Sequence, residues 1–249
     1  MKLTAASIEA LENVIKTAQI AQLQVVLFDV VNGVRVIRGV DKESTVQVLS
    51  ATGCPDLGDL KIGINRVNLF GQRLALLKSQ GNVEIEATLS KNNIDVSKLE
   101  LQSGKTKTDF RCCNVDLTNG VPKSKTADTE AYEITIPTSA INLLVQSSGA
   151  MSSPAVTLST KDGKVMTLEF ADEVNNDILK TEIDIETKIV ISEDDSDQVM
   201  FANTYSLKSL IPLFKEASKS SQSFNITIDG LGGISIFINN IKFIIGPIA

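Results

Sequence analysis

The chain has 249 residues, of which 43% are hydrophobic and 22% charged, and its formal net charge is -6. This is an ordinary globular balance, and the length allows one large domain or two ordinary ones. An acidic total argues by itself against a nucleic-acid-binding protein. No run is apolar enough to cross a bilayer, and the first residues begin an amphipathic pattern rather than a signal peptide. We therefore expect a soluble, intracellular protein without a membrane partner.

The sequence lacks the residues of the commonest catalytic sites. There is no histidine, which removes the usual general base and metal ligand. Cys54, Cys112 and Cys113 show no CxxC or Cys/His spacing, so we expect reduced structural thiols. The acidic residues 193–195 lie in a turn-like context typical of a solvated loop. We expect no catalytic residues, no metal and no cofactor, and an enzyme that uses carboxylates or the Cys112–Cys113 pair ranks third among the alternatives.

The same order of predicted elements occurs twice, on either side of a polar segment at the middle of the chain. This segment, residues 118–130, contains Gly120 and Pro122 and has no hydrophobic periodicity, which is typical of an extended linker. We predict an N-terminal domain over 1–117, a connecting linker over 118–130 and a C-terminal domain over 131–249. Each domain is predicted to be α+β, with antiparallel sheets and two helices.

In the first half, apolar residues recur every third or fourth position over 5–19 and 65–80, which predicts two amphipathic helices. Short Val- and Ile-rich runs separated by turn signals such as Asn32-Gly33 predict antiparallel strands. These strands span 24–28, 33–38, 44–49, 61–64, 82–89, 93–96, 98–102 and 109–117.

The second half repeats this scheme. One helix is predicted over 137–149, with Pro137 at the first helical position and Gly149 as its stop, and another from a capping Ser206 to residue 219. The glycines of DGLGGIS (229–235) lie between two alternating runs and predict a hairpin turn. The predicted strands span 132–136, 155–159, 165–170, 178–186, 188–191, 224–228, 233–238 and 242–245.

The charges are distributed unevenly along the chain. Residues 172–197 contain ten acids and two lysines, a net of -8, so the remainder of the chain sums to +2. The second helix of each half is basic. One basic helix on its own would ordinarily be explained as a solvated surface. Because the bias occurs on the corresponding helix of both repeats, it favours a surface that faces a polyanion. The cations are Arg66, Arg73 and Lys78 in the first half, and Lys208, Lys215 and Lys219 against Glu216 in the second.

With two repeats, basic helices in an acidic chain and a linker between the halves, the sequence resembles the sliding DNA clamps of the proliferating-cell-nuclear-antigen (PCNA) type. The most specific local match is EAYEITIPTSAINLLVQSSGAM (130–151), with the strand and helix that begin the second domain of these clamps. A second match is the tail, 206–249, which ends on a strand and a Gly-Pro pair. The resemblance covers essentially the whole chain in layout. It implies the DNA clamp fold, in which the helices line the central hole of a ring.

The resemblance also implies how the ring closes. The last strand of the first domain, here 109–117, joins an edge strand of the second domain of the next protomer, here 178–186. An uncapped edge of this kind invites strand pairing, and two domains per chain imply a closed homotrimer. The implied interface residues are Phe110, Cys112, Ile183 and Ile185.

The function that the resemblance implies is that of a DNA polymerase processivity factor, at replicating DNA in the cytoplasm or nucleoid of a host cell, or in the nucleus. Helix cations face the phosphates of duplex DNA without reading its sequence, so the ring slides. The implied partners are double-stranded DNA, a DNA polymerase, a clamp loader and further copies of the chain. The implied DNA-facing residues are Lys16, Arg66, Arg73, Lys78, Lys208, Lys215 and Lys219.

Clamps of this type bind a short peptide of their partners in a hydrophobic pocket beneath the linker. An apolar C-terminal segment is unusual unless it packs on something, which agrees with such a pocket, but ordinary core packing of the final strand explains it equally well. The matching positions are Val40, Val46, Val121, Pro122, Leu231, Ile245, Pro247 and Ile248.

Some features depart from the pattern of these clamps. The first helix contains Glu9 and Glu12, the helix over 137–149 has no charge, and the linker has few large apolar residues. These departures leave three alternatives open: a diverged viral or phage clamp, a monomeric or dimeric processivity factor that closes no ring, and an interaction scaffold that does not bind DNA.

Overall fold

A computed structural model of the protein describes residues 1–118, 120–121, 130–172, 175–189 and 201–248. The described residues form two compact units. Unit 1 contains the residues up to 121 together with Asn239–Lys242, and unit 2 contains 130–238 and the residues from 243 onward. Both units are α+β, as predicted, with two α-helices and antiparallel sheets. Most of the predicted linker lies outside the described residues, and the boundaries at 117 and 131 stay a prediction.

Unit 1 contains two packed helices and two antiparallel sheets. The Oγ1 of Thr4 accepts a hydrogen bond from the N–H of Ser7 at 3.1 Å and caps the first helix. The strand orders are β3-β2-β1-β4 and β5-β6-β7. The elements are α1 (Ala5–Ile20), β1 (Leu23–Val31), β2 (Val34–Asp41), β3 (Val46–Ser50), β4 (Ile62–Ile64), α2 (Val67–Lys78), β5 (Glu84–Leu89), β6 (Val96–Ser103) and β7 (Thr106–Arg111).

The two helices of unit 1 approach closely because a glycine lies between them. A Cβ atom on Gly71 of α2 would meet the end of the Gln19 side chain of α1 at 2.6 Å, so a larger residue here would require that side chain to move. On the core side, Leu11 and Ile15 of α1 and Phe70 and Leu74 of α2 are buried. This apolar stripe is the one that the helical spacing predicts.

Unit 2 has the same kind of architecture. The strand orders are β11-β10-β9-β13 and β12-β8-β14-β15-β16. The predicted turn in DGLGGIS is confirmed, because the N–H of Asp229 bonds the carbonyl of Gly233 at 3.0 Å. The elements are β8 (Glu130–Pro137), α3 (Ser139–Met151), β9 (Ala155–Thr160), β10 (Val165–Asp172), β11 (Asp177–Asp184), β12 (Glu186–Ile189), β13 (Phe201–Ser206), α4 (Leu207–Ala217), β14 (Ser223–Asp229), β15 (Ile234–Ile238) and β16 (Ile241–Ile245).

The strand orders of the two units correspond to each other. The sheet β3-β2-β1-β4 of unit 1 matches β11-β10-β9-β13 of unit 2 in the order of its strands along the chain. Lys2 forms a bridge with Glu86 of β5, as β8 pairs with β14 in unit 2. In each unit one helix precedes the first of these sheets and another follows it. The internal repeat predicted from the sequence is therefore present in the topology.

Five details of the predicted elements are wrong. The strand predicted over 109–117 is β7, which ends at Arg111, because the side chain of Asn114 accepts the N–H groups of residues 116 and 117 and forms a turn. The strands predicted over 93–96 and 98–102 belong to one strand, β6. Pro137 ends β8 rather than beginning α3, and Gly149 does not stop that helix, which runs to Met151. Strand β13 was not predicted, because its sequence FANTYS has polar residues where a strand core is usually apolar.

Candidate nucleic-acid and protein interfaces

Two of the predicted DNA-facing lysines share one buried carboxylate. Glu12 of α1 lies 2.7 Å from the Nζ of Lys16, and its other oxygen bonds the Nζ of Lys78 of α2. Burial acts to raise the pKa of Glu12, but the hydrogen bonds and charges of both lysines outweigh it, so the net shift of this pKa is downward. Glu12 therefore stays ionised and offsets part of the positive charge on this helix pair.

Arg66 and Arg73 are directed toward strand β7. The Nη1 of Arg73 donates to the carbonyl of Asp109 at 2.7 Å, and the Nη2 of Arg66 donates to the carbonyl of Arg111 at 3.3 Å. The guanidinium carbon of Arg66 also lies 4.7 Å from the ring centroid of Phe110, within the range of a cation–π contact. Both arginines thus contact the protein itself.

The exposed positions of α2 and α3 are mostly uncharged. On α2 these include Asn68, Gln72 and Leu76, and on α3 they include Asn142 and Gln146. Side-chain amides form hydrogen bonds with phosphate oxygens but add no charge. The surfaces of these two helices are therefore polar rather than basic.

Helix α4 has the most cationic exposed surface of the described helices. Its buried face packs on the core, where Phe214 forms an edge-to-face contact with Phe224 at 5.0 Å between ring centroids. Lys208, Lys215 and Lys219 are exposed. The Nζ of Lys219 lies 2.5 Å from a Glu216 oxygen, whereas Lys215 makes no ion pair among the described residues. That all seven predicted cations face DNA stays a prediction.

Strands β7 and β11 each end a sheet within the described part of their unit. The exposed charges of β7 are Lys107, Asp109 and Arg111, and the two α2 arginines lie beside them. Those of β11 are mainly acidic. The two strand edges therefore carry opposite net charge, which favours their pairing. The charged residues of β11 are Asp177, Lys180, Glu182 and Asp184.

The side chains predicted at the subunit interface are mostly packed inside their own units, and their place at an interface stays a prediction. Phe110 is fully buried and forms an edge-to-face contact with Phe70, with ring centroids 4.9 Å apart. Ile183 and Ile185 are buried. Cys112 is half-buried, and burial raises the pKa of its thiol to about 12. A contact between copies through these strands thus requires their backbones and their exposed side chains.

Two of the predicted pocket residues lie together. Val40 and Val121 belong to one buried cluster in unit 1, with Val25, Leu27 and Val115. Val46 and Ile245 are also buried. Pro122 lies outside the described residues.

The other predicted pocket residues are in unit 2. Leu231 is 70% exposed in the turn between β14 and β15, and Pro247 is exposed. The N–H of Ile248 donates to the carbonyl of Thr204 at 2.8 Å, which attaches the chain end to β13. The apolar C-terminal segment thus combines buried and accessible side chains.

A buried ion network beside the Val40–Val121 cluster was not predicted. The Nη2 of Arg38 lies 2.5 Å from the Oδ2 of Asp29, and the Nη1 of Arg38 donates to the carbonyl of Val121 at 3.3 Å. Lys61 links Asp29, at 3.4 Å, to Asp116, at 3.1 Å. The sequence contains a signal for this network, since Asp29 interrupts the apolar run VVLFDVV and Arg38 lies between Ile37 and Gly39 in a Val- and Ile-rich strand. The network attaches the start of the linker to the sheet of unit 1.

Two other kinds of site were sought in the described part of the chain. No group of three or more Cys, Asp or Glu side chains is arranged to hold a metal ion there. None of its helices combines the length and the apolar character that a membrane span requires.

Comparison with known proteins gives a clear result for the fold alone. No model of a protein family and no curated protein matches the chain. Among solved structures, the PCNA2–PCNA3 complex from Sulfolobus tokodaii is 13% identical, with a TM-score of 0.61 over 99% of both chains. The A. fulgidus PCNA bound to the C-terminal region of FEN-1 is 12% identical, with a TM-score of 0.62 over 100% of this chain and 97% of that one. The protein therefore has the fold of the PCNA-type sliding clamps, as the sequence resemblance implied.

Proposed function

We propose that the protein is a sliding clamp that encircles duplex DNA and tethers a DNA polymerase and other DNA enzymes to it. The observation that supports this function most strongly is the likeness to PCNA structures over essentially the whole chain. Both units contribute to that likeness, and each has the pair of helices and the strand order that the repeat requires. On this proposal the protein acts at replicating DNA and performs no catalysis of its own.

The ring is proposed to form from three copies of the chain. The Sulfolobus tokodaii structure is a complex of two clamp subunits, which supports assembly between clamp chains. Here the mainly acidic edge of β11 and the basic edge of β7 are complementary. Head-to-tail contacts between unlike edges close a ring when the rotation between copies completes a full turn.

Contact with DNA is proposed to be electrostatic and independent of sequence. At least five of the predicted cations contact protein groups, namely Lys16, Arg66, Arg73, Lys78 and Lys219. The salt dependence of binding reports how many phosphates the cations neutralise. We therefore expect a shallow salt dependence, with retention that depends chiefly on the closed ring.

Partner binding is proposed to use the predicted pocket residues. The A. fulgidus PCNA binds the C-terminal region of FEN-1, which supports recognition of a short peptide by this fold. We propose that Leu231 and Pro247, which are exposed in unit 2, take part in binding an apolar peptide of a polymerase or another DNA enzyme. A clamp loader is the further partner that a closed ring requires.

The solution mass tests ring formation. Static light scattering over a concentration series should approach three times the 26.8 kDa of one chain. A mass of one chain at every concentration contradicts the ring and leaves a non-toroidal processivity factor.

An interaction scaffold that does not bind DNA is the second candidate. The engagement of most helix cations by protein groups favours it, because these groups already satisfy the charges that DNA would use. The two candidates differ in one simple measurement. A clamp binds duplex DNA with an affinity that falls as salt rises, whereas a scaffold of this kind shows no such affinity.

A further inference from the structure

The outer edge of β7 is covered by side chains of its own protomer. In an antiparallel hairpin, the backbone groups of alternate residues point away from the partner strand. With the β6–β7 register and its turn at residues 104–105, these are residues 107, 109 and 111. The carbonyls of Asp109 and Arg111 accept hydrogen bonds from Arg73 and Arg66, respectively. Two of the backbone groups that an added strand would pair with, the carbonyls of Asp109 and Arg111, are therefore already bonded.

The two arginines are held in this position by the structure of α2. Arg73 lies in α2, and Arg66 is the residue immediately before this helix, at its N-terminal cap. Arg66 is held additionally by the ring of Phe110, which is itself packed against Phe70. Both arginines thus have defined partners on the protein, although Arg66 is also exposed to solvent.

We propose that Arg66 and Arg73 guard the β7 edge, so that a second copy of this chain can add its β11 strand only by displacing them. This inference rests on the self-association proposed above. Charge identifies β11 as the strand that would add to this edge, because β11 exposes Asp177, Glu182 and Asp184 and only one lysine. Carboxylates are strong acceptors for guanidinium groups, often in bidentate pairs.

A cleft beside β11 adds to the acidic character of this edge. It has a volume of about 570 Å³, and Glu182, Asp184 and Glu186 contribute to its lining together with apolar side chains. These carboxylates attract every cation of the β7 edge, whereas the guarding hydrogen bonds must break before the two strands can pair. A separate protomer keeps its edge protected against unspecific strand addition, which exposed edges otherwise invite.

The test is the dissociation constant of self-association, measured by sedimentation velocity or light scattering over a concentration series. The variants are Arg73→Gln and the double variant Arg66→Gln/Arg73→Gln. The matched control is Lys107→Gln, which removes a cation of β7 that bonds Glu100 at 2.6 Å and does not touch the edge carbonyls. Circular dichroism and thermal unfolding of each variant establish that it is folded.

The proposal predicts opposite changes in the affinity of self-association for the arginine variants and for the Lys107→Gln control. Loss of each guarding hydrogen bond should tighten association about tenfold, the equivalent of about 1.4 kcal/mol. Lys107→Gln should weaken association or leave it unchanged, because it removes only attraction to the acidic edge. If the arginine variants associate as wild type does, or more weakly, or stay monomeric throughout, the proposal is wrong.

A DNA-retention assay on the same variants separates this inference from the proposed function. Tighter association of the arginine variants, together with a wild-type protein that is not retained on DNA, supports the guard and contradicts the clamp. Retention of the wild-type protein on DNA with no tightening in the variants contradicts the guard alone. Arg73→Lys is a second variant that retains the charge but loses the planar fork of donors, and the guard predicts that it also associates more tightly than wild type.

Discussion

Replacing Arg38 by methionine should destabilise the protein far more than replacing its exposed neighbour Arg35. The side chain of Arg38 is 0% exposed and that of Asp29 is 5% exposed, with 2.5 Å between their charged atoms. Removing one partner of a buried pair leaves an uncompensated charge and costs about 3–5 kcal/mol. Lys61, 3.4 Å from Asp29, offsets part of this cost, so we expect a value near the lower end of that range.

Urea unfolding followed by circular dichroism at pH 7 measures this loss from the shift of the midpoint. Arg35→Met is the matched control, because Arg35 lies on the same strand and pairs with Asp56, whose side chain is 88% exposed. That control should leave the midpoint unchanged within error. The double variant Arg38→Met/Asp29→Leu should be less destabilised than the sum of the single variants, since no unpaired carboxylate remains. Equal effects of the Arg38 and Arg35 variants would refute this account of the buried pair.

Three further predictions concern charge, DNA and the β11 edge. Because the folded pKa of Glu12 lies below its ordinary value of 4.5, its stabilisation is present above that pH and lost as pH falls. Glu12→Gln should therefore lower the free energy of unfolding by about 1 kcal/mol at pH 7, measured by urea unfolding, and this difference from wild type should shrink toward pH 3. A difference that stays constant with pH contradicts the pairing of Glu12 with Lys16 and Lys78. Lys208→Glu/Lys215→Glu should make the affinity for duplex DNA, measured by fluorescence anisotropy, depend less steeply on salt. The slope of log affinity against log salt concentration should fall in magnitude by about 0.9 for each phosphate that is no longer neutralised, and an unchanged slope argues against α4 as a DNA-facing helix. Ile178→Lys, at a position 60% exposed on β11, should weaken self-association in light scattering, because it adds positive charge to the strand that the basic β7 edge attracts. Ile94→Lys, at a position 44% exposed elsewhere, should not, and equal behaviour of the two variants argues against the β11 contact.

The helices and most strands follow from local patterns in the sequence. The apolar stripe of α1 and the turn at Asn32-Gly33 are specified within a few residues, and both are present in the structure. Strand β13 and the end of β7 were missed or misplaced. Their ends depend on pairing with distant strands and on the side chain of Asn114, neither of which a local pattern shows.

The candidate interfaces were less predictable than the fold. The sequence indicates that Arg66 and Arg73 are on an amphipathic helix, but not that their side chains bond β7. Alternation also does not tell an interface residue from a core residue: Phe110 and Ile183 were assigned to the subunit interface, and both side chains are buried in their own units. Substituting aspartate at either of these two positions would disrupt the core of its own unit, so the exposed Ile178 is the better test of assembly.

The most direct test of the clamp is topological retention on DNA. Duplex DNA is anchored to beads by one end, incubated with the protein so that rings thread from the free end, and then capped at that end with streptavidin. A high-salt wash screens electrostatic contacts, so only a closed ring should stay on the capped DNA, and cutting the DNA inside the cap should release it. We predict retention on capped DNA and loss from uncapped DNA; equal loss from both would contradict a clamp that encircles the duplex.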